Sequence, residues 1–428
     1  MEAAFLKVLV LGGTIFARNR GVAALTKGCI VSLQENFTNL KITLIHTFVE
    51  SFYPIKTAYL EGNINTVIDA EERVVKIILR AFVRLLTATL WRILRCIRVS
   101  ADFLLRRDKV LREYGNADVV INLCYGDTFA YKKEFYFKLL FFILWHQSLI
   151  AILLKKPLFF FPQSIGPFQS GFSSILAKFV LNRCKVIMAR EKLSKEYLLK
   201  MGVRAPIYVV PDLSFAITPV PDHQVYKILS RESVKETRPL VGIAIRENMY
   251  RHLDVMSAIV DYLTSKMKAK VIFIPHTSIS ASHAHLGCCD PRFLAKEVIK
   301  KIECKELVNS INGEYSVEEL RGIIGKCDLF IGAYMHADTS ALSTYVPVVA
   351  ISYSHKTEGI MNLVGLGEFV LPLKDLSIPY ALNKIEKAFY NRDRLRHALR
   401  RKIPVLREKA MKTGEIVKIW LQKSSSSS

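Results

Sequence analysis

The stretch Leu329–Lys356, LFIGAYMHADTSALSTYVPVVAISYSHK, decides the fold. A short apolar run, Leu329–Ile331, is followed by a segment of helical character, Ala337–Tyr345, and then by a second apolar run, Val348–Ile351. Strand, helix and strand in so few residues make a parallel βαβ unit. Each strand also delivers polar side chains at its end: Tyr334, Met335 and His336 after the first, and Tyr353, Ser354, His355 and Lys356 after the second. In open parallel sheets ligands gather at the carboxyl ends of the strands, so the stretch that sets the fold also marks a site.

The same alternation runs through the chain. Strands are predicted in the first half at Lys7–Leu11, Lys41–His46, Asp118–Leu123, Pro157–Phe161, Val186–Met188 and Ile207–Val210. In the second half they are predicted at Leu240–Ile245, Lys270–Ile274 and, after the quoted stretch, Phe369–Leu371. Helices are expected at Pro379–Asn391 and Asp393–Gln422. The fold class is therefore α/β. The chain has 428 residues, of which 51% are hydrophobic, enough for two cores. The Pro-rich, charged segment Thr218–Pro239 marks the boundary between a domain over 1–220 and one over 221–423, with the serine run 424–428 as a flexible tail.

Charge and cysteines narrow the function classes. Lys and Arg total 61 against 38 Asp and Glu, a formal charge of +23, which favours anionic partners. No zinc-finger spacing, aromatic-rich basic sheet motif or block of consecutive basic residues points to nucleic acid. None of the eight cysteines forms a C-x-x-C pair, so no structural metal is expected. The start, MEAAFLKVLVLGG, runs straight into a strand, and a reducing cytoplasm is the expected compartment. Phe135–Leu154 has the length of a membrane span but contains Lys138, His146 and Gln147, and it reads as a buried helix between strands. Arg73–Arg112 carries basic residues between apolar ones at helical spacing. It reads either as a helix on an anionic membrane surface, at the inner face of the cell membrane, or as a domain helix with a solvated basic face.

The strand ends supply the candidate site residues. In the first half they include Gly12-Gly13-Thr14, which suits a phosphate turn or an ordinary strand-to-helix turn, and Asp127, Gln163, Arg190 and Asp212. Asn19-Arg20-Gly21 reads as a helix start in that half. In the second half, Arg246, His276, His336 and Lys356 fall after successive strands. Four cationic groups on one rim, two of them imidazoles, suit a small phosphorylated carboxylate. His336 also precedes a helix whose first backbone N–H groups would attract an anion.

The run Ile331–Met361, IGAYMHADTSALSTYVPVVAISYSHKTEGIM, resembles the signature segment of polysaccharide pyruvyl transferases. FPQSIGPF (Phe161–Phe168), MAREKLSKEYLLKMGV (Met188–Val203), VVPDLSFAI (Val209–Ile217) and VGIAIRE (Val241–Glu247) are similar to further segments of that family, as are Asn19-Arg20-Gly21 and Gly126-Asp127. The resemblance implies two Rossmann-like domains facing across a cleft, as in B-type glycosyltransferases. It also implies phosphoenolpyruvate as co-substrate, with no other cofactor, and a sugar acceptor, often lipid-linked. His336, Arg246 and Lys356 take the places of the family's catalytic groups. His276 and Tyr334 join Arg246 and Lys356 around the donor, and Asn19, Asp127, Gln163 and Arg190 fall on the acceptor side. One position departs: the family's arginine two residues before the histidine is Tyr334 here. Tyrosine offers one hydrogen bond and no charge near pH 7, whereas arginine offers a fixed cationic fork. A nucleotide-sugar glycosyltransferase of the same fold and a non-catalytic binding homologue stand as the alternatives.

Overall fold

The computed structural model describes residues 5–46, 64–68, 74–130, 135–235, 238–277, 290–353 and 355–426. The chain forms two compact units: one of residues 1–17, 25–216 and 409–428, the other of residues 18–24 and 217–408.

The first unit is built on strands β1 (Leu6–Leu11), β2 (Leu40–His46), β3 (Ile64–Ile68), β4 (Val119–Asn122), β5 (Asp127–Ala130), β6 (Leu158–Phe168), β7 (Val186–Ala189) and β8 (Ile207–Val209). The order is β3-β2-β1-β4-β6-β7-β8, with β5 beside the far half of β6, and every pairing is parallel. Parallel sheets are covered on both faces, and the sequence obeys this. Leu9, Leu11, Val120 and Phe160 enter one core, while Val8, Val10, Val119, Ile121, Phe159 and Phe161 enter the other.

Three sequence expectations change in this unit. Strand β6 does not end at Phe161 but continues to Phe168, because β5 pairs with Ser164, Ile165 and Phe168. The basic segment is not one helix but three, Val74–Cys96, Asp102–Arg106 and Lys109–Asn116. Asp108 starts the last by accepting from Val110 N at 2.8 Å and Leu111 N at 3.0 Å, and it also takes Arg84 Nε at 2.9 Å. Finally, the helix Arg392–Ser425 takes up the first serines of the supposed tail, and from Lys409 onward it belongs to the first unit, not to a second domain ending at 423. Its apolar side chains Ile416, Val417, Trp420 and Leu421 require cover and find it in the core of Val8, Val10 and Phe159.

Helix Phe135–Leu153 is interior, with Phe141, Trp145, His146 and Gln147 all buried. Among the described residues no helix is long and apolar enough to cross a membrane.

The second unit carries β9 (Leu240–Ala244), β10 (Lys270–Phe273), β11 (Val308–Ser310), β12 (Leu329–Gly332), β13 (Val348–Ser352) and β14 (Val370–Pro372). The order is β11-β10-β9-β12-β13-β14, again parallel throughout. The strand sequence reverses direction between β9 and β12, so the crevice beyond their carboxyl ends is where this topology seats a ligand.

The docking of the last helix is testable at Gly414. Its N–H donates to Ser32 Oγ at 2.8 Å, and that hydroxyl donates in turn to Met411 O at 2.9 Å. A Cβ at Gly414 would overlap the Ser32 carbonyl oxygen, which is backbone and cannot turn aside. Helix propensity favours alanine over glycine by about 1 kcal/mol. Overpacking costs about 1–3 kcal/mol and should reverse that sign. Gly414→Ala is therefore expected to lower the melting temperature by several degrees in a thermal scan, and a rise would refute the docked geometry.

Candidate functional site

Within the second unit, four strand ends, the fourth being that of β13 with Tyr353, and one incoming segment meet. Beyond β9 stand Arg246 and Glu247, beyond β10 His276, and beyond β12 Tyr334, which caps the helix Met335–Ser343. Residues 18–24, including the start of helix Arg20–Asn36, cluster with these. This corrects the placement of Asn19-Arg20-Gly21 on the first domain. Asn19 Oδ1 accepts from Gly21 N at 2.9 Å, which turns the chain into the helix, and Arg20 N donates to His276 O at 3.2 Å. Gly21 lies so close to the His336 ring that a Cβ there would overlap it.

The charges are distributed unevenly. Arg20, nearly buried, pairs with Glu314 at 3.1 Å, and Glu314 also meets Arg292. Burial lowers the Arg20 pKa and raises that of Glu314, each against the attraction of the other. Arg246 Nε donates to Glu247 Oε1 at 2.7 Å. Its guanidinium lies 5.4 Å from the centre of the Tyr334 ring and 4.4 Å from that of Tyr353. Burial opposes the charge on Arg246, but Tyr353 and Glu247 outweigh it and its pKa rises. Tyr334 donates to Glu247 Oε2 at 3.4 Å, and burial, with Glu247 beside it, holds it as the neutral phenol.

His276 is 2% exposed, and neither ring nitrogen has a hydrogen-bond partner among the described residues. Its ring lies 6.3 Å from that of Tyr334. Burial, followed by the nearby His336, Arg20 and Arg321, pushes its pKa well below the ordinary range, so it stays neutral at pH 7. Arg321 is fully buried and donates to Ile217 O at 2.7 Å. His336 occupies the second position of the helix Met335–Ser343, inside it and not ahead of it as the sequence suggested. There the N–H groups of the first turn, which the helix itself does not pair, favour an anion. Lys356 is half-buried at the second position of the helix His355–Val364.

The structure thus gathers Arg246, His276, Tyr334 and His336 with the neighbouring strand-end residues Glu247 and Tyr353, and adds Arg20 and Glu314, which sequence reasoning had not selected. Arg20 carried one usable signal: it stands in a motif, Asn19-Arg20-Gly21, already marked as a helix start.

The first-unit candidates are placed differently. Gln163 is fully buried inside β6, where its amide donates to Asn122 O at 3.0 Å and Phe161 O at 3.1 Å. Arg190 is likewise buried, with Ser164 Oγ at 2.7 Å and Asp212 Oδ2 at 2.9 Å. Both side chains brace strand ends from within. Asp127 opens β5, and its side chain lies outside the described residues. Gly12-Gly13-Thr14 is a close-packed turn: Gly12 has φ +63°, a Cβ on it would stand 2.7 Å from Cys124 N, and Thr14 is fully buried.

A family model of polysaccharide pyruvyl transferases matches residues 47–355. The amylovoran biosynthesis protein AmsJ of Erwinia amylovora is 24% identical over 420 residues, which is 93% of this chain and 95% of that protein. Among solved structures, a glycosyltransferase from Rickettsia africae aligns with TM-score 0.60 at 12% identity, covering 98% of this chain and 99% of that one. HepE of Anabaena, in complex with UDP and glucose, aligns with TM-score 0.57 at 14% identity over 98% and 100% of the two chains. The UDP-GlcNAc 2-epimerase of Neisseria meningitidis, bound to UDP-GlcNAc, aligns with TM-score 0.55 at 10% identity over 97% and 100%. These likenesses establish the fold: two parallel-sheet α/β domains of the kind found in B-type glycosyltransferases and epimerases.

Asp338, on the helix that carries His336, gives a pH test. It is 1% exposed, packs against Gly332, and has no hydrogen-bond partner among the described residues for either carboxyl oxygen. Burial therefore holds its pKa well above the ordinary range and keeps it protonated. In the unfolded chain the same carboxyl ionises from about pH 4. The folded state then binds the extra proton, so the contribution of this residue to stability is present below that pH and declines as pH rises. Asp338→Asn keeps the shape and cannot ionise. Its melting temperature should gain on that of the wild type by about 3–5 °C per pH unit above pH 4 while the native carboxyl stays protonated. A difference independent of pH would show that Asp338 is charged in the native state.

Proposed function

Because the chain belongs to the polysaccharide pyruvyl transferase family, we propose that it moves the enolpyruvyl group of phosphoenolpyruvate onto a sugar of a polysaccharide, lipid-linked saccharide or glycan, forming a pyruvate ketal. The observation that carries this reading is the grouping of Arg246, His276 and His336, which follow strands, with Arg20 of the incoming segment, beside a helix N-terminus. That grouping suits a small ligand bearing both phosphate and carboxylate.

The reaction needs two proton movements. C3 of the enol gains a proton as the first sugar hydroxyl, losing its own, bonds to C2. The second hydroxyl then bonds to C2 while the C2–O bond to phosphate breaks, and its proton leaves with the phosphate. His336 is the group suited to proton transfer, since an imidazole titrates near neutral pH. Arg246 and Lys356 hold the carboxylate and phosphate and stabilise the departing charge. Arg246, lying over Tyr334 and Tyr353, supplies positive charge beside the position where the family carries an arginine. His276, neutral and without a hydrogen-bond partner among the described residues, is available to hydrogen-bond the same ligand. Its name relates AmsJ to amylovoran biosynthesis, which supports a role for this chain in polysaccharide synthesis.

Phosphate release from phosphoenolpyruvate in the presence of saccharide acceptors is the direct assay. His336→Ala should lower kcat by about 10²–10⁴-fold with an unchanged melting temperature. Turnover at the wild-type rate would remove His336 from the mechanism. Thermal stabilisation by a nucleotide sugar, with none by phosphoenolpyruvate, would replace the pyruvyl reading with glycosyl transfer.

A further inference from the structure

Helix Val74–Cys96 carries a face whose described apolar side chains are exposed. Val75, Leu79, Phe82, Leu86, Leu90 and Ile93 recur at spacings of three and four residues, with exposures from 46% to 76%. Single apolar side chains are ordinary on a protein surface, whereas a continuous row is an interaction site. Helix Gly171–Leu181 adds Phe172 and Ile175, and both helices pack against helix Phe135–Leu153.

Within this helix the charged residues have one sign. From residue 74 to residue 101 there is no Asp or Glu, while Lys76, Arg80, Arg92, Arg95 and Arg98 stand between the apolar positions. On the flank of the same helix, Trp91 and Arg95 border a cavity of about 380 Å³. Arg106, Arg112 and Lys156 also line it, against one acid, Asp102, which accepts from Trp91 Nε1 at 3.0 Å. A row of aliphatic side chains flanked by cations, beside a cavity lined by four of them, matches an anionic lipid leaflet in both layers: acyl chains for the row and phosphates for the cations. A second copy matches less well, because two such faces would oppose the cavity's four cations to four, with Asp102 the one acid among the described residues that line it.

We propose that this face docks on an anionic lipid bilayer, with the aliphatic row at the acyl boundary and a lipid phosphate in the cavity. The inference is independent of the reaction assigned above.

Co-sedimentation of the full chain with phosphatidylcholine vesicles containing about one-third phosphatidylglycerol, and with pure phosphatidylcholine vesicles, tests it. Binding should be about tenfold or more stronger to the anionic vesicles and should weaken with added salt. The triple variant Leu79→Ser, Leu86→Ser, Ile93→Ser should lose binding at an unchanged melting temperature. Arg95→Gln with Arg106→Gln, which leaves the aliphatic row intact, should weaken binding to the anionic vesicles by about 30-fold. Failure to bind the phosphatidylglycerol vesicles would overturn the proposal, and so would binding that both variants leave unchanged. Sedimentation velocity showing a dimer that the triple variant dissociates would overturn it in favour of self-association.

Discussion

Backbone pairing in a buried parallel sheet is the constraint from which the rest follows. Every N–H and C=O in β1, β4, β9 and β12 must find a partner on a neighbouring strand, and both faces of each strand must be apolar. Polar chemistry is thereby confined to the residues just past each strand. Their spacing is fixed by the register, so Arg246 and Tyr334, each two residues beyond the paired Ala244 and Gly332, are brought side by side by the pairing of β9 with β12. The contact between the Arg246 guanidinium and the Tyr334 ring is a consequence of that register and not of any local sequence preference.

Burial then divides the ionisable groups of the second unit by charge state. Asp338 is kept neutral by burial, with no donor to it among the described residues, and His276 is kept neutral because burial and neighbouring cations both oppose a proton. Arg20 and Arg246 keep their charge because each has a carboxylate, Glu314 and Glu247 respectively. Half-buried pairs of this kind hold a cation in place without fully neutralising its field, and that field favours an anionic ligand.

Most of the sheet architecture was legible, because strands buried on both faces read as continuous apolar runs between turn residues. The strands that escaped detection are those without such runs. β3 is Ile64–Ile68, interrupted by Asn65 and Thr66, β11 is Val308–Ser310, three residues of which two are polar, and β5 begins with Asp127. Each exists because a partner strand offers a free edge. Gln163 was assigned to a loop for a related reason: Pro162 and Gly166 look like turn residues, but pairing with β5 carries the strand through them. The candidate site was legible where a residue directly follows a strand, as with Arg246, His276 and His336. Arg20 and Glu314 belong to it through contacts nearly 300 residues apart in sequence, which no local pattern records.

Tyr334 shows why a missing arginine need not mean a missing charge. At this position the side chain is 9% exposed, and a second guanidinium beside Arg246 would have to share Glu247. Two buried cations with one carboxylate leave one charge uncompensated, which is costly in a low-dielectric site. A phenol removes that conflict. It hydrogen-bonds Glu247, and its ring presents a face to the Arg246 guanidinium, while Tyr353 presents another. The arrangement holds one well-positioned cation where an arginine at 334 would create two competing ones. The cation count of the site is therefore completed from another strand end and from Arg20, and not from the turn that carries His336.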